Sequence, residues 1–128
     1  QPKLDGFYAE AQLRMKPFNC ELVRKFSIDA AKDFKDESLD FVYLDGNHNL
    51  LHVVQDLWYW VPKVRKGGLV CGHDYIERIN YSYGMHVIPA VQAYTHAFRV
   101  KKYFVLGRKE VVQGELREKP RSWMFVKE

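Results

Sequence analysis

Two short stretches decide the fold, LDFVYLDGNH at residues 39–48 and KGGLVCGHDY at residues 66–75. Residues 39–44 are almost continuously apolar and rich in β-forming side chains, which predicts a strand covered on both faces. Residues 69–71 predict a second short buried strand, and residues 50–64 between them have the periodicity of an amphipathic helix. A strand, a helix and a second strand predict two parallel strands joined by a right-handed crossover.

The alternation of helices and strands continues on both sides of this unit. Helices are predicted at residues 7–15, 27–34 (with Ser27 as N-cap) and 86–98, and strands at residues 21–26, 102–106 and 122–126. This order predicts an α/β fold with a mostly parallel sheet and one antiparallel strand near the C-terminus. The side of the central helix predicted to face the core carries Leu50, Val54, Leu57, Trp58 and Val61.

Composition limits the class of protein. The chain has 128 residues, 47% of them hydrophobic, which is enough for one domain with a packed core and excludes disorder as the main state. No apolar stretch is long enough to span a membrane, and no signal peptide is visible. The two cysteines, Cys20 and Cys71, are predicted to be small buried side chains rather than a disulfide framework, which favours the cytoplasm.

The net charge of +4 comes mainly from the region between residues 99 and 121. A basic surface can bind phosphate, but this region has no dense Lys/Arg run and no nucleic-acid motif. A solvated surface is the favoured interpretation, and nucleic acid is not the expected substrate.

Polar side chains follow both strands of the central unit, where an open parallel sheet binds its ligands. Asp45 and Asp74 offer oxygen ligands for a divalent cation such as Mg²⁺, and a nitrogen from His73 would favour Mn²⁺, Fe²⁺ or Zn²⁺. His48 follows Asp45 by three residues and is the candidate general base. His52 is predicted to be a supporting or surface residue.

These residues resemble the class I S-adenosylmethionine-dependent methyltransferases, and more narrowly the O-methyltransferases of small molecules and sugars. The motifs that carry the resemblance are FSIDAAKDF, LDFVYLDGNH, VVQDLWYWVPKVRKGGLVCGHDY and VIPAVQAY, in that order. The resemblance implies a Rossmann-like sheet, S-adenosylmethionine as cofactor and a small-molecule hydroxyl as methyl acceptor. It implies these roles: His48 as base, Asp45, His73 and Asp74 as metal ligands, and Ser27, Ile28 and Asp45 at the cofactor.

The family's glycine-rich cofactor loop is absent, because the glycines form no G-x-G-x-x-G pattern. Residues 1–128 are therefore expected to be a single partial domain, the C-terminal two-thirds, without the first two strands. Its exposed edge would be covered by a second copy or by a missing N-terminal segment, and the chain alone would bind the cofactor weakly. Two alternatives remain: a non-catalytic interaction fragment, and a metal-dependent oxygenase or hydroxylase with Asp45, His48 and His73 on Fe²⁺.

Overall fold

The computed structural model describes residues 2–76, 84–107, 113–114 and 120–128. The helices and strands along them are α1 (Pro2–Met15), α2 (Ser27–Ala31), β1 (Leu39–Leu44), α3 (Leu50–Trp60), β2 (Val64–Gly72), α4 (Val87–Ala97), β3 (Tyr103–Leu106) and β4 (Ser122–Val126). A short 3-10 helix, Val61–Lys63, joins α3 to β2. Among the residues described, no helix is both long enough and apolar enough to cross a bilayer.

The four strands form one mixed sheet in the order β1-β2-β4-β3. β1 and β2 are parallel, as a crossover through α3 requires, and β4 runs antiparallel to both β2 and β3. The predicted α/β fold with a single reversed strand near the C-terminus is therefore confirmed. β2 begins five residues earlier than the sequence predicts, since the glycine pair continues the strand.

The core lies on one face of this sheet, under α3 and α4. Alternate strand residues point towards it, and the deepest of them are Val70, Trp123 and Phe125, each at most 1% exposed. The helices contribute Val53, Leu57, Val87, Ala90 and Val91. Because β-strand side chains alternate between faces, this arrangement fixes which residues of β1 and β2 lie towards the helices.

The opposite face of the sheet carries no helix within the described residues. Its apolar side chains are exposed: Phe41 (63%), Tyr43 (47%), Leu69 (39%), Phe104 (49%) and Leu106 (46%). The prediction that β1 is covered on both faces is therefore wrong. The long edge of β1 opposite β2 is also unpaired within the described part, in agreement with the expected exposed edge.

The N-terminal region differs most from the sequence prediction. α1 packs on the segment that follows it, where the Tyr8 hydroxyl donates to the Leu22 carbonyl at 3.4 Å and Arg24 lies over the Tyr8 ring. The prediction of a strand at residues 21–26 is wrong. These residues form no strand, because no neighbouring strand supplies backbone hydrogen bonds to them. α2 ends at Ala31, three residues before the predicted end.

The buried side of α3 also differs from the prediction. Leu57 and Val61 are buried as expected, but Leu50, Val54 and Trp58 are 49%, 42% and 62% exposed. Val53 and Asp56 lie on the buried side instead. The helix is apolar over so much of its circumference that hydrophobicity alone does not identify its inner side, and the inner side contains a carboxylate.

Candidate functional site

The carboxyl ends of β1 and β2 meet at one edge of the sheet. Leu44 pairs with Gly72, and the backbone N–H of His73 donates to the Leu44 carbonyl at 3.1 Å, so the two strands end side by side. Asp45 follows β1 directly, and Asp74 follows β2 by one residue. Parallel pairing thus brings together two carboxylates that are far apart in the sequence.

The His48 imidazole lies between these two acids. Its Nε2 is 2.9 Å from Asp74 Oδ2 and 3.5 Å from Asp45 Oδ1. The Asp74 side chain is only 14% exposed and that of His48 28%, whereas Asp45 is half exposed at 51%. The group formed by Asp45, His48 and Asp74, called the rim cluster below, therefore opens to solvent on the Asp45 side.

Backbone contacts fix the position of His48. Its carbonyl accepts from the backbone N–H of His86 at 2.8 Å, and the His86 ring Nδ1 accepts from the backbone N–H of Leu50 at 3.2 Å. Asn49 caps α3 by accepting from the backbone N–H of His52 at 3.2 Å. His48 therefore sits in a turn held between the starts of α3 and α4.

Asp74 has an unusual backbone conformation. Its φ of 56° lies in the left-handed region, which aspartate tolerates better than most residues but which still costs free energy. The residues on either side hold it there: the Trp123 indole N–H donates to the His73 carbonyl at 3.2 Å, and the Tyr75 N–H donates to the Arg121 carbonyl at 2.9 Å. This turn directs the Asp74 carboxylate towards His48.

The donor set of the rim cluster fits a divalent cation. Each of its three residues offers one ligand atom, and these atoms lie within 4.8 Å of one another. Among the residues that the structure describes, His48 Nε2 is buried without a hydrogen-bond partner, although Asp74 Oδ2 lies 2.9 Å away. A buried nitrogen left unsatisfied between two carboxylates suits either a cation or a transferred proton.

His73 lies at the margin of this cluster. Its Nδ1 is 3.5 Å from Asp74 Oδ2, and it is not among the three residues whose ligand atoms converge. The third candidate ligand beside the two carboxylates is therefore His48 in the structure, whereas the sequence predicts His73. The role of His73 as a metal ligand stays a prediction.

A cleft of about 560 Å³ lies beside the rim cluster, between α2 and α3. It is lined by two of the three residues predicted to contact the cofactor, Ser27 and Ile28, and also by Gly46 and Asn47 from the turn after β1. Its volume is within the range of small-molecule sites. The turn at Gly46 connects the cleft to Asp45, which does not line it.

Sequence reasoning missed a hydrogen-bonded chain in the wall of this cleft. The Ser27 hydroxyl donates to Asp56 Oδ1 at 2.5 Å and accepts from the Trp60 indole N–H at 2.8 Å. Ser27 is the first residue of α2 rather than its N-cap, which is Phe26, so the predicted capping role is wrong. Burial raises the pKa of the Asp56 carboxyl, and the bond from Ser27 opposes that shift. The sequence does contain one signal for this chain of hydrogen bonds, since Asp56 is an acidic residue at a core position of a helix.

Tyr75 and the two cysteines differ in burial, and part of the basic region lies outside the described residues. Tyr75 is buried, with the Arg121 guanidinium 5.5 Å from its ring centre. Cys71 is buried, which raises the pKa of its thiol, but Cys20 is exposed, so its predicted burial is wrong. Of the basic region between residues 99 and 121, Arg108, Lys109, Arg117 and Lys119 lie outside the described residues.

Comparison with known proteins gives three results. The family described as "Methyltransferase domain" matches residues 4–75. Uncharacterized protein y4gI of Sinorhizobium fredii is 36% identical over 53 residues, which are 41% of this chain and 6% of that protein. The crystal structure of a "putative rRNA-methylase" from Clostridium thermocellum superposes with a TM-score of 0.59 and 14% identity, covering 93% of this chain and 68% of that one.

These results have different weights. At 14% identity the solved structure shows the fold alone, a Rossmann-like methyltransferase sheet. The match to y4gI spans a small fraction of that relative's length and shows no activity. The family match covers more than half of the chain and includes β1, α3, β2 and the rim cluster. The chain therefore belongs to the methyltransferase domain family, whose activity is methyl transfer and whose class I fold its sheet shares.

Proposed function

We propose that this chain supports methyl transfer from S-adenosylmethionine to a hydroxyl group of a small molecule or sugar. The observation that carries the proposal is the position of His48 Nε2, 2.9 Å from one carboxylate and 3.5 Å from another, at the strand ends beside a ligand-sized cleft. A hydroxyl is a weak nucleophile and must lose its proton to attack. The rim cluster provides an acceptor for that proton.

In the proposed mechanism His48 is the general base. Its Nε2 takes the hydroxyl proton, and the resulting imidazolium lies between Asp74 and Asp45, which stabilise its positive charge. The contacts of His86 and Asn49 keep the turn at His48 in place while this happens. S-adenosylmethionine, when bound, supplies the electrophilic methyl group on its sulfonium.

Metal assistance is a further part of the proposal, and the same three residues are its candidate ligands. Two carboxylates with one imidazole favour Mn²⁺, Fe²⁺ or Zn²⁺ over Mg²⁺. The metal would hold a substrate oxygen and lower its pKa. Nε2 cannot bind a metal and accept a proton at the same time, so the two roles of His48 are alternatives that a metal titration separates.

The cleft between α2 and α3 is the proposed cofactor site. It has the volume for a nucleoside, and it adjoins the rim cluster through Gly46. Ser27 and Ile28 line it and are its proposed contacts, and Asp45, next to Gly46 in the sequence, is the third proposed contact although it does not line the cleft. Because the chain lacks the family's glycine-rich loop, we expect binding of S-adenosylhomocysteine weaker than micromolar.

The test is a methyl-transfer assay at saturating S-adenosylmethionine with a panel of catechols and sugars. His48→Gln should lower the rate by about 10²- to 10⁴-fold. His96→Gln is the matched control, because His96 is an exposed histidine near the end of α4. Transfer that His48→Gln leaves unchanged, with or without added Mn²⁺, would exclude His48 as base and as ligand.

The exposed apolar face and the free edge of β1 support a second proposal, that another segment of polypeptide covers them in the working protein. Either a second copy or a segment preceding residue 1 would serve, and sedimentation separates the two, since only the first makes this chain a dimer. If the chain were only a non-catalytic interaction fragment, the rim cluster would have no chemical function. The oxygenase alternative is not favoured, because two carboxylates and one imidazole converge rather than two imidazoles and one carboxylate.

A further inference from the structure

A second cavity, of about 350 Å³, lies at the opposite end of the sheet from the rim cluster. The rim cluster follows the ends of β1 and β2, whereas Val61 and Pro62, which line this cavity, directly precede β2. Its volume is within the range of small-molecule sites, and no residue of the rim cluster lines it. This cavity, called the distal cavity below, is therefore separate from the site proposed for methyl transfer.

Aromatic rings from α4 and β4 stack along the distal cavity. The Tyr94 ring lies 4.4 Å from the Phe98 ring at an angle of 30°, and 6.0 Å from the Phe125 ring at 24°. Phe125 is 1% exposed, so the core holds the inner end of the stack, while Phe98 is 56% exposed and open to a ligand. Aromatic pairs favour offset stacking. The lining therefore suits a flat aromatic ring that extends the stack.

The basic residue of the lining, Lys127, is already engaged. Its ammonium donates to the Val64 carbonyl at 2.6 Å and to the Pro62 carbonyl at 3.2 Å. The Glu37 carboxylate lies 3.7 Å from the same nitrogen. An ammonium has three protons, and three partners face this one. An anionic ligand would have to displace one of these partners to pair with Lys127.

The remaining electrostatics of the distal cavity favour a positive ligand. The Glu128 carboxylate lines it and pairs with Lys101 at 3.6 Å, in an exposed contact of the kind that contributes little. Glu128 can therefore exchange that partner for a ligand cation. In addition, α4 ends beside the cavity before Phe98, and the short helix after α3 ends there at Lys63. Helix C-termini carry partial negative charge and attract cations.

We propose that the distal cavity binds a planar aromatic cation, an aryl ring that carries a protonated amine on a short chain. The ring stacks on Phe98 and Tyr94, and the ammonium lies beside Glu128. The faces of the aromatic side chains add to the attraction for the cation. The proposal does not depend on the proposed function, because the two sites share no lining residue.

The test compares tryptamine with indole-3-propionate, which share the ring and the two-carbon chain and carry opposite charges. Each is titrated at up to millimolar concentration into the ¹⁵N-labelled chain and followed by NMR. Tryptamine should shift the backbone N–H signals of Phe98, Val100 and Lys127, which lie along the cavity. It should bind about tenfold more tightly than indole-3-propionate, because only its charge matches Glu128 and the helix C-termini.

Two variants separate the stacking from the charge. Phe98→Leu keeps an apolar side chain but removes the flat face, and should weaken tryptamine binding about three- to tenfold. Glu128→Gln should reduce the preference for tryptamine to about threefold, since the helix C-termini remain. Phe104→Leu and Glu10→Gln are the matched controls, because they change an exposed phenylalanine and an exposed glutamate outside the cavity. Both controls should behave as wild type.

Equal affinity of the wild-type chain for the two probes overturns the proposal. So does the absence of shifts by both probes at millimolar concentration, or shifts confined to the cleft between α2 and α3. Tryptamine affinity unchanged by Phe98→Leu, or a preference unchanged by Glu128→Gln, also overturns it. If Phe98→Leu does not fold, the Glu128→Gln preference alone decides.

Discussion

Gly72 is the position where one added methyl group should disturb the rim cluster most. A Cβ built there would lie 2.4 Å from Trp123 Cζ2 and 2.7 Å from the Leu44 carbonyl oxygen. Trp123 is 1% exposed and cannot swing into solvent, and the Leu44 oxygen belongs to the β1–β2 pairing. Gly72→Ala must therefore push the indole away from His73 or separate the two strands that carry the cluster.

The expected cost follows from these contacts. Overpacking a tight core costs about 1–3 kcal/mol, and loss of the Trp123–His73 hydrogen bond about 1 kcal/mol. Replacing glycine gains roughly 0.4–1 kcal/mol from the unfolded state. The free energy of unfolding should thus fall by about 2 kcal/mol. With a urea m-value of about 1–3 kcal/mol/M, the midpoint falls by about 1 M.

Urea unfolding followed by tryptophan fluorescence measures this change. Gly6→Ala is the control, because a Cβ at Gly6 meets nothing within 4 Å and alanine favours the helix. Trp123→Phe in the Gly72→Ala background removes the clashing ring atoms, so the double variant should lose less than the sum of the single losses. A Gly72→Ala midpoint equal to that of wild type, or strictly additive losses, would refute the packing argument.

Three further predictions concern the metal, Asp56 and the cysteines. Mn²⁺ should raise the melting temperature more than Mg²⁺, and Asp74→Asn should abolish that rise; a rise that persists places the cation elsewhere. Because burial raises the pKa of Asp56, the folded chain holds that proton more tightly than the unfolded one, so stability falls as pH rises from the ordinary aspartate pKa through the raised value. Asp56→Asn should remove this fall, and urea titrations at several pH values measure it. Iodoacetamide should label exposed Cys20 and spare buried Cys71, and mass spectrometry of the native chain would detect the reverse.

The central unit was predictable because local pattern and tertiary structure agree there. The apolar run of β1 and the polar residues after it locate both the strand and the position of Asp45, and the bounds of β1 and β4 match the prediction. Parallel pairing then brings Asp74 to the same edge. What the sequence could not supply is side-chain geometry: nothing in the spacing distinguishes His48 from His73 as the group nearest both carboxylates.

Two of the errors have a common physical origin in missing partners. Residues 21–26 have the composition of a strand, but a strand needs a neighbour to accept its hydrogen bonds. Phe41 and Tyr43 are typical of a buried strand, yet no described element covers their face of the sheet. On α3, apolar residues on nearly every side left the inner face undetermined, and the informative residue was the polar one, Asp56.

The order in which the rim cluster is encoded has a consequence for biosynthesis. Asp45, His48 and Asp74 lie in or just after one strand–helix–strand unit that is translated before β3 and β4. That unit can begin to bring the three groups together in the nascent chain. Trp123, whose indole holds the turn between His73 and Asp74, is translated after all three of these residues. Translation beyond residue 123 is therefore expected to fix a cluster that has already begun to assemble, and chains stalled before residue 123 would carry that cluster in a loosened form.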